Sequence, residues 1–121
     1  MPSSEYTKVC KEFSSLSKTI RIETNKERIK FSISDEIGSG STTFGQVTEG
    51  NENKRVVIEV DEPVNQSFSS LYLAFFSKPV NLSEKVTLAM AESFPMIVSY
   101  EFLDGRGEIR YYIAPKIEDE E

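Results

Sequence analysis

Two pairs of adjacent carboxylates, Asp35/Glu36 and Asp61/Glu62, come closest in this 121-residue chain to an acid–base arrangement. Catalytic carboxylates work when they are separated and their environments drive their pKa values apart. Neighbours in a turn share one environment, so these pairs read as solvated turn acids. Other reactive types are scarce. The chain has no histidine and one cysteine, Cys10. That removes histidine general bases, Cys–His nucleophiles and ordinary zinc sites. Cys10 falls on the apolar side of a helical pattern and reads as a core filler. Gly38-Ser39-Gly40-Ser41 lacks both the Gly-Lys-Ser/Thr ending and the following helix of a phosphate loop. A small α+β enzyme with a pocket among Tyr100, Tyr111 and Tyr112 is the remaining catalytic reading, and it has no nucleophile–base pair to support it. No enzyme activity, metal or cofactor is expected.

The binding signals are sharper. In the closing run Tyr111-Tyr112-Ile113-Ala114-Pro115-Lys116-Ile117, strand alternation puts Ile109, Tyr111 and Ile113 on one face as core. Tyr112 and Ala114 then point the other way. Pro115 cannot donate to a ladder and ends the pairing. An exposed aromatic beside small apolar residues suits a peptide-binding patch; the alternative is that Tyr112 packs under a loop and Ile117 pins the tail. Lys8, Lys11 and Lys18 share the polar side of an amphipathic helix with Ser15. That side is either simply solvated or a flexible, non-specific contact for phosphates. Lys78, at the end of a second helix, joins it if the helices lie side by side.

Charge supports a one-sided contact. The net charge is −6, yet residues 1–33 carry seven Lys/Arg against four Asp/Glu. An acidic chain will not coat nucleic acid, but it can offer one basic face to it. The 38% apolar content fits one globular domain. No apolar run approaches the roughly 20 residues of a membrane span, and no signal peptide is expected at the N-terminus. The lone cysteine points to a reducing compartment.

The positioning elements follow from periodicity. Ser3 or Ser4 caps a helix along Tyr6, Val9, Cys10, Phe13 and Leu16. Strands follow at Ile20/Ile22 and Ile29/Phe31/Ile33, joined by the turn Asn25-Lys26-Glu27. Residues 35–41 read as a Gly/Ser-rich connection, and Thr42–Thr48 as a third strand around Phe44 and Val47. After an exposed loop at Glu49–Arg55 the pattern restarts. A strand at Val56/Ile58/Val60 precedes a short helix from Ser69 or Ser70 through Leu71, Tyr72, Leu73, Phe75 and Phe76, stopped by Pro79. Strands at Val86/Leu88/Met90, Met96/Val98/Tyr100/Phe102 and Ile109/Tyr111/Ile113 complete it, the last two joined at Asp104-Gly105-Arg106-Gly107. Helix-strand-strand-strand followed by strand-helix-strand-strand-strand is an internal duplication in which the halves share pattern rather than residues. The first unit lacks its opening strand, so Met1 reads as a cut edge.

The ending Tyr111-Tyr112-Ile113-Ala114-Pro115-Lys116-Ile117-Glu118-Asp119-Glu120-Glu121 resembles the C-terminus of the eukaryotic proliferating cell nuclear antigen family, the DNA sliding clamps. Met1-Pro2-Ser3-Ser4-Glu5, Glu62-Pro63-Val64 and Tyr72-Leu73-Ala74-Phe75-Phe76-Ser77-Lys78 agree in order and spacing. The likeness covers the second of a clamp subunit's two domains; the first domain and the connector are absent. It implies an α+β clamp domain of two βαβββ units, with antiparallel sheets outside, both helices on one face, and the first strand truncated. It further implies a nuclear, non-enzymatic subunit, homotrimeric when full length, that encircles duplex DNA during replication and repair. Lys8, Lys11 and Lys78 match DNA-facing positions, whereas Leu71 stands where the family commonly has arginine. Pro95, Tyr112, Ala114, Pro115, Lys116 and Ile117 match positions that dock partner peptides bearing an apolar plug and aromatic side chains. DNA polymerases, repair proteins and a clamp loader are the implied partners, and no membrane is involved. Phe13, Leu16, Thr42 and Phe44 match the edge between subunits. Lys26 matches a lysine modified by ubiquitin or SUMO, with Arg28 replacing a usual glycine. A checkpoint-type clamp subunit, or a stand-alone interaction domain of this fold, is the alternative.

Overall fold

The computed structural model describes residues 1–34, 38–45 and 62–116. Helix α1 spans Ser3–Ser14. Strands β1 (Thr19–Thr24), β2 (Arg28–Ser34) and β3 (Ser39–Gly45) follow it. Strand β4 (Val64–Ser69) runs straight into α2 (Ser70–Phe75). A 3-10 turn at Lys78–Asn81 leads to β5 (Thr87–Ala89), β6 (Met96–Phe102) and β7 (Gly107–Ile113). Among the described residues all strand pairing is antiparallel. One sheet has the order β3-β2-β1-β4 and the other β5-β6-β7. This is the α+β architecture of two sheets and two helices expected above.

The second unit does begin with a strand, but at Val64–Ser69. The expected strand at Val56/Ile58/Val60 lies outside the described residues. Strand β4 leaves its own unit and pairs along β1, with Thr19 opposite Ser69 and Thr24 opposite Val64. Met1–Ser3 makes the reciprocal contact. Pro2 bridges Lys85, the Val86 N–H donates to Met1 O at 2.9 Å, and the Ser3 N–H donates to Glu84 O at 2.9 Å. Each unit thus lends the residues before its helix to the other unit's sheet, a mutual exchange that locks the two together.

Other boundaries shift for local reasons. Neither Ser3 nor Ser4 caps α1: Pro2 holds the N-cap position, and the Ser3 hydroxyl donates to Ser83 O instead. Residues Ser39–Ser41 belong to β3, because Ser34, Ile33 and Ser32 pair with Ser39, Gly40 and Ser41. Pro79 does not stop α2, which ends at Phe75; it sits inside the 3-10 turn, whose early positions need no N–H. The β6–β7 turn comprises Leu103–Arg106, and Gly107 is the first residue of β7.

The core lies between the helices and the sheets. Tyr6, Val9, Cys10 and Phe13 of α1 join Ile20, Ile22, Ile29, Phe31 and Phe68 of one sheet in a single cluster with Leu73 of α2 and Met96, Val98 and Tyr100 of the other sheet. These positions recur at helical spacing on α1 and at every second residue on the strands, so one buried face per element suffices. The Tyr100 hydroxyl donates to Phe76 O at 2.7 Å, satisfying a group that would be costly to bury alone. The buried Tyr6 hydroxyl has no hydrogen-bond partner among the described residues; the Cys10 thiol lies beside it.

Candidate functional site

Strand β7 sorts the tyrosine pair. Tyr111 is half-buried and stacks on Phe76, ring centroids 4.4 Å apart and planes 9° from parallel. Tyr112 faces outward and is 60% exposed. Arg110 shares that outward face. Its guanidinium is held above its ordinary pKa by hydrogen bonding to Tyr112 and then to Glu108, the latter at 2.6 Å. Ile113 is buried, whereas Ile109 is only half-buried near the hairpin end. Tyr100 and Tyr112 lie on opposite sides of the sheet, so the three tyrosines do not converge on a pocket.

One turn and one bridge assemble the edge around Tyr112. Ile97 pairs with Tyr112 and Met96 with Ile113, so the preceding Pro95 leads into the ladder where Ala114 leaves it. Pro95 and Ala114 are exposed, and Pro115 is half-buried. Past the proline, the Lys116 N–H donates to Ser67 O at 2.7 Å, and its ammonium reaches Thr19 Oγ1 at 2.7 Å. The segment after β7 is thereby stitched to the outer edge of β4. Ile117 and the acidic tail lie outside the described residues. On the Pro95 side, Gln66 is buried at an inward position of β4 between Val64 and Phe68. Its amide N–H donates to Ala91 O at 3.2 Å, and its oxygen accepts the Ser93 N–H at 2.8 Å. Sequence reasoning singled out neither Gln66 nor Ser67. The available signal was a glutamine occupying an apolar slot in the alternation.

The cationic surface assembles as the helix pattern requires. Lys8, Lys11 and Lys78 are all exposed. Thr7 Oγ1 donates to Ser77 O at 3.3 Å, tying α1 to the turn after α2, and the residues that follow these two are Lys8 and Lys78. The Lys78 ammonium sits 4.3 Å from the centroid of the Phe75 ring. Between these cations α2 is apolar outside as well as inside: Leu71, Tyr72 and Phe75 are each more than half exposed.

Strand β3 forms the far edge of its sheet, with β2 its one partner among the described residues. Thr42 and Phe44 are half-buried, and Phe44 packs edge-on against Phe31 at 6.0 Å. Leu16 is 62% exposed, whereas Phe13 belongs to the core. Lys26 is exposed in a turn that Asn25 fixes by accepting the N–H groups of Glu27 and Arg28 at 2.8 and 3.0 Å. It lines a shallow cleft with Glu27, Arg28, Thr43 and Gly45. Asp35, Glu36 and Asp61 lie outside the described residues, and Glu62 is exposed. Among the described residues no metal-binding cluster of carboxylate and cysteine side chains occurs, and no helix is long and apolar enough to cross a membrane.

A family model described as proliferating cell nuclear antigen, C-terminal domain, matches residues 1–116. The chain belongs to that family. Membership makes it a sliding-clamp domain, related to proteins of DNA replication, and the two-sheet, two-helix fold agrees with it. The proliferating cell nuclear antigen match takes in both helices, both sheets and the segment after β7 as far as Lys116.

Proposed function

We propose that this chain is a non-enzymatic ring component that encircles duplex DNA and tethers replication and repair proteins to it in the nucleus. The observation that carries the reading is the arrangement of β7, which spends Tyr111 on the core and leaves Tyr112 open beside Pro95 and Ala114. A peptide with an apolar plug and aromatic side chains fits that edge, with backbone pairing to Lys116 and Ile117. Polymerases, repair proteins and a clamp loader dock there.

Lys8, Lys11 and Lys78 face the duplex and touch phosphates only. Affinity is therefore low and falls steeply with salt, by a log–log slope of about 0.9 for each phosphate neutralised. Thr42 and Phe44 on the β3 edge, with the exposed Leu16, meet the next subunit of a homotrimer, whereas Phe13 is buried in the core and does not reach it. Lys26 is the modification site. The test is charge reversal at Lys8 and Lys11 in the full natural protein. Polymerase processivity should drop, and unchanged processivity and sliding would refute the channel-facing assignment.

One observation favours a second reading. The exposed face of α2 offers Leu71, Tyr72 and Phe75 where a DNA-lining helix would be polar. A checkpoint-type clamp, whose subunits differ from one another, accommodates that departure. The mass of the native assembly discriminates, as a mixed trimer supports the second reading and a homotrimer the first.

A further inference from the structure

We infer that Gln66 is a positioning residue for the peptide-docking edge, locking the turn that presents Phe94 and Pro95; this rests on the docking reading proposed above. The anomaly is its place. In β4 the inward positions are Val64, Gln66 and Phe68, all buried, so a long amide stands where the alternation calls for an apolar side chain. Burying an amide is costly unless its donors and acceptors are matched. The match here is a single remote turn, 25 residues on for Ala91 and 27 for Ser93.

That turn is held in an unfavourable shape. The Phe94 N–H closes it by donating to Ala91 O at 3.1 Å, and Ser93 inside it has φ 67°. A non-glycine residue in the left-handed region costs on the order of 1 kcal/mol and persists where its surroundings over-determine it. Gln66 supplies that constraint. Its oxygen takes the N–H of the strained residue itself, and its amide donates to the carbonyl that closes the turn. The product is an outward-facing corner with Phe94, 64% exposed, next to Pro95.

The neighbouring residue completes the device. Ser67 O holds the Lys116 N–H on the other side of the edge. Two consecutive residues of β4 thus fix the two segments that flank Tyr112, one before β6 and one after β7. A peptide laid along Tyr112 meets walls already in place, so less ordering free energy is lost on binding.

The test measures binding of a fluorescent synthetic peptide, with one apolar plug residue and paired aromatics, to the full natural protein. Gln66→Leu keeps the volume and removes both hydrogen bonds. It should weaken binding about tenfold and speed amide exchange at Ser93. Gln66→Asn keeps an amide in the slot but is one methylene too short to hold both Ala91 O and the Ser93 N–H. It should lose the same factor, and it decides the matter if Gln66→Leu unfolds. Unchanged affinity in Gln66→Leu and Gln66→Asn, with binding abolished by Tyr112→Ala, would overturn the inference and leave the docking reading standing. Unchanged affinity in Tyr112→Ala would overturn both.

Discussion

Ser3 and Ser70 occupy equivalent places in the two halves of the chain. Each is the first residue of a helix. The Ser3 hydroxyl donates to Ser83 O and its N–H to Glu84 O, while the Ser70 hydroxyl donates to Ser17 O and its N–H to Lys18 O. The acceptor serines correspond too. Ser17 Oγ donates to Thr19 O and accepts the Thr19 N–H, and Ser83 Oγ does the same with Lys85. The duplication therefore survives in residues as well as in pattern, at the points where each helix is anchored to the opposite unit. Replacing Ser3 or Ser70 by alanine leaves a carbonyl without its hydroxyl donor, and each change should cost about 1–2 kcal/mol. Their equivalence predicts similar losses in chemical denaturation. A cost at one site and none at the other would show that the anchors are not equivalent.

The tyrosine pair should separate stability from binding. Tyr111→Ala removes a ring stacked on Phe76 and should destabilise by about 2–3 kcal/mol. Tyr112→Ala touches an exposed side chain and should change stability by less than about 0.5 kcal/mol. On the docking reading it should nevertheless weaken peptide binding at least tenfold, roughly the size of a hot-spot loss. Thermal melts and peptide titrations on the same two variants check both halves.

What the sequence made legible followed from clean periods. Helix α1 and strands β1, β2 and β6 each bury a regular set of apolar side chains, and the phase of β7, half-buried at Ile109 and Tyr111 and buried at Ile113, separated Tyr111 from Tyr112. Strand β4 escaped notice because Val-Asn-Gln-Ser-Phe-Ser holds a glutamine at the middle inward position. The residue that broke the pattern is the one that locks the Ala91–Phe94 turn, as expected where local rules give way to a site. In α2 the opposite error arises: Leu71, Tyr72 and Phe75 read as part of an apolar run, but in a helix of 6 residues only Ser70 and Leu73 reach the buried face. Nothing in the local sequence distinguishes an apolar residue that is buried from one left on the surface. The proposed docking edge was read from its tyrosine and prolines, while Gln66 and Ser67, the supports proposed for it, depend on a strand pairing that no short-range signal encodes.

Stability should fall at alkaline pH, starting from Cys10. Burial pushes its thiol up to about 12 from the ordinary value of 9.0, and the neighbouring Tyr6 hydroxyl only partly opposes this. Above pH 9 the unfolded chain releases this proton and the folded one retains it. Stability is therefore complete below pH 9 and declines as pH rises toward 12, by at most about 1.4 kcal/mol per pH unit for one proton. Tyr6 and Tyr100, also raised by burial, add to the decline above their ordinary value of 10.0. Cys10→Ala should flatten the curve between pH 9 and 10 while lowering overall stability through the lost volume. Alkylation of Cys10 in the native protein should be slow and limited by unfolding, because the thiolate is scarce and the side chain is buried. Rapid native-state alkylation would contradict both the burial and the pKa.

The β6–β7 hairpin carries strain that substitution can release. Leu103 and Asp104 both have φ 55°, and Gly105 has φ 86°. Asp104 and Gly105 suit the positive φ angles of a tight hairpin turn, but leucine does not, and Leu103 is 70% exposed, with little burial to offset the cost. Leu103→Gly or Leu103→Asn should therefore stabilise the protein by about 0.5–1 kcal/mol. The neighbouring glycine behaves in the opposite way. A Cβ at Gly107 would stand 2.4 Å from the Phe102 ring, which lies over the bare backbone across the strand pair. Gly107→Ala should push that ring away, disturb the first pair of the ladder and lower the melting temperature. Equal melting temperatures for Leu103→Gly, Gly107→Ala and the unmodified protein would mean that neither strain nor ring contact is present at the hairpin in solution.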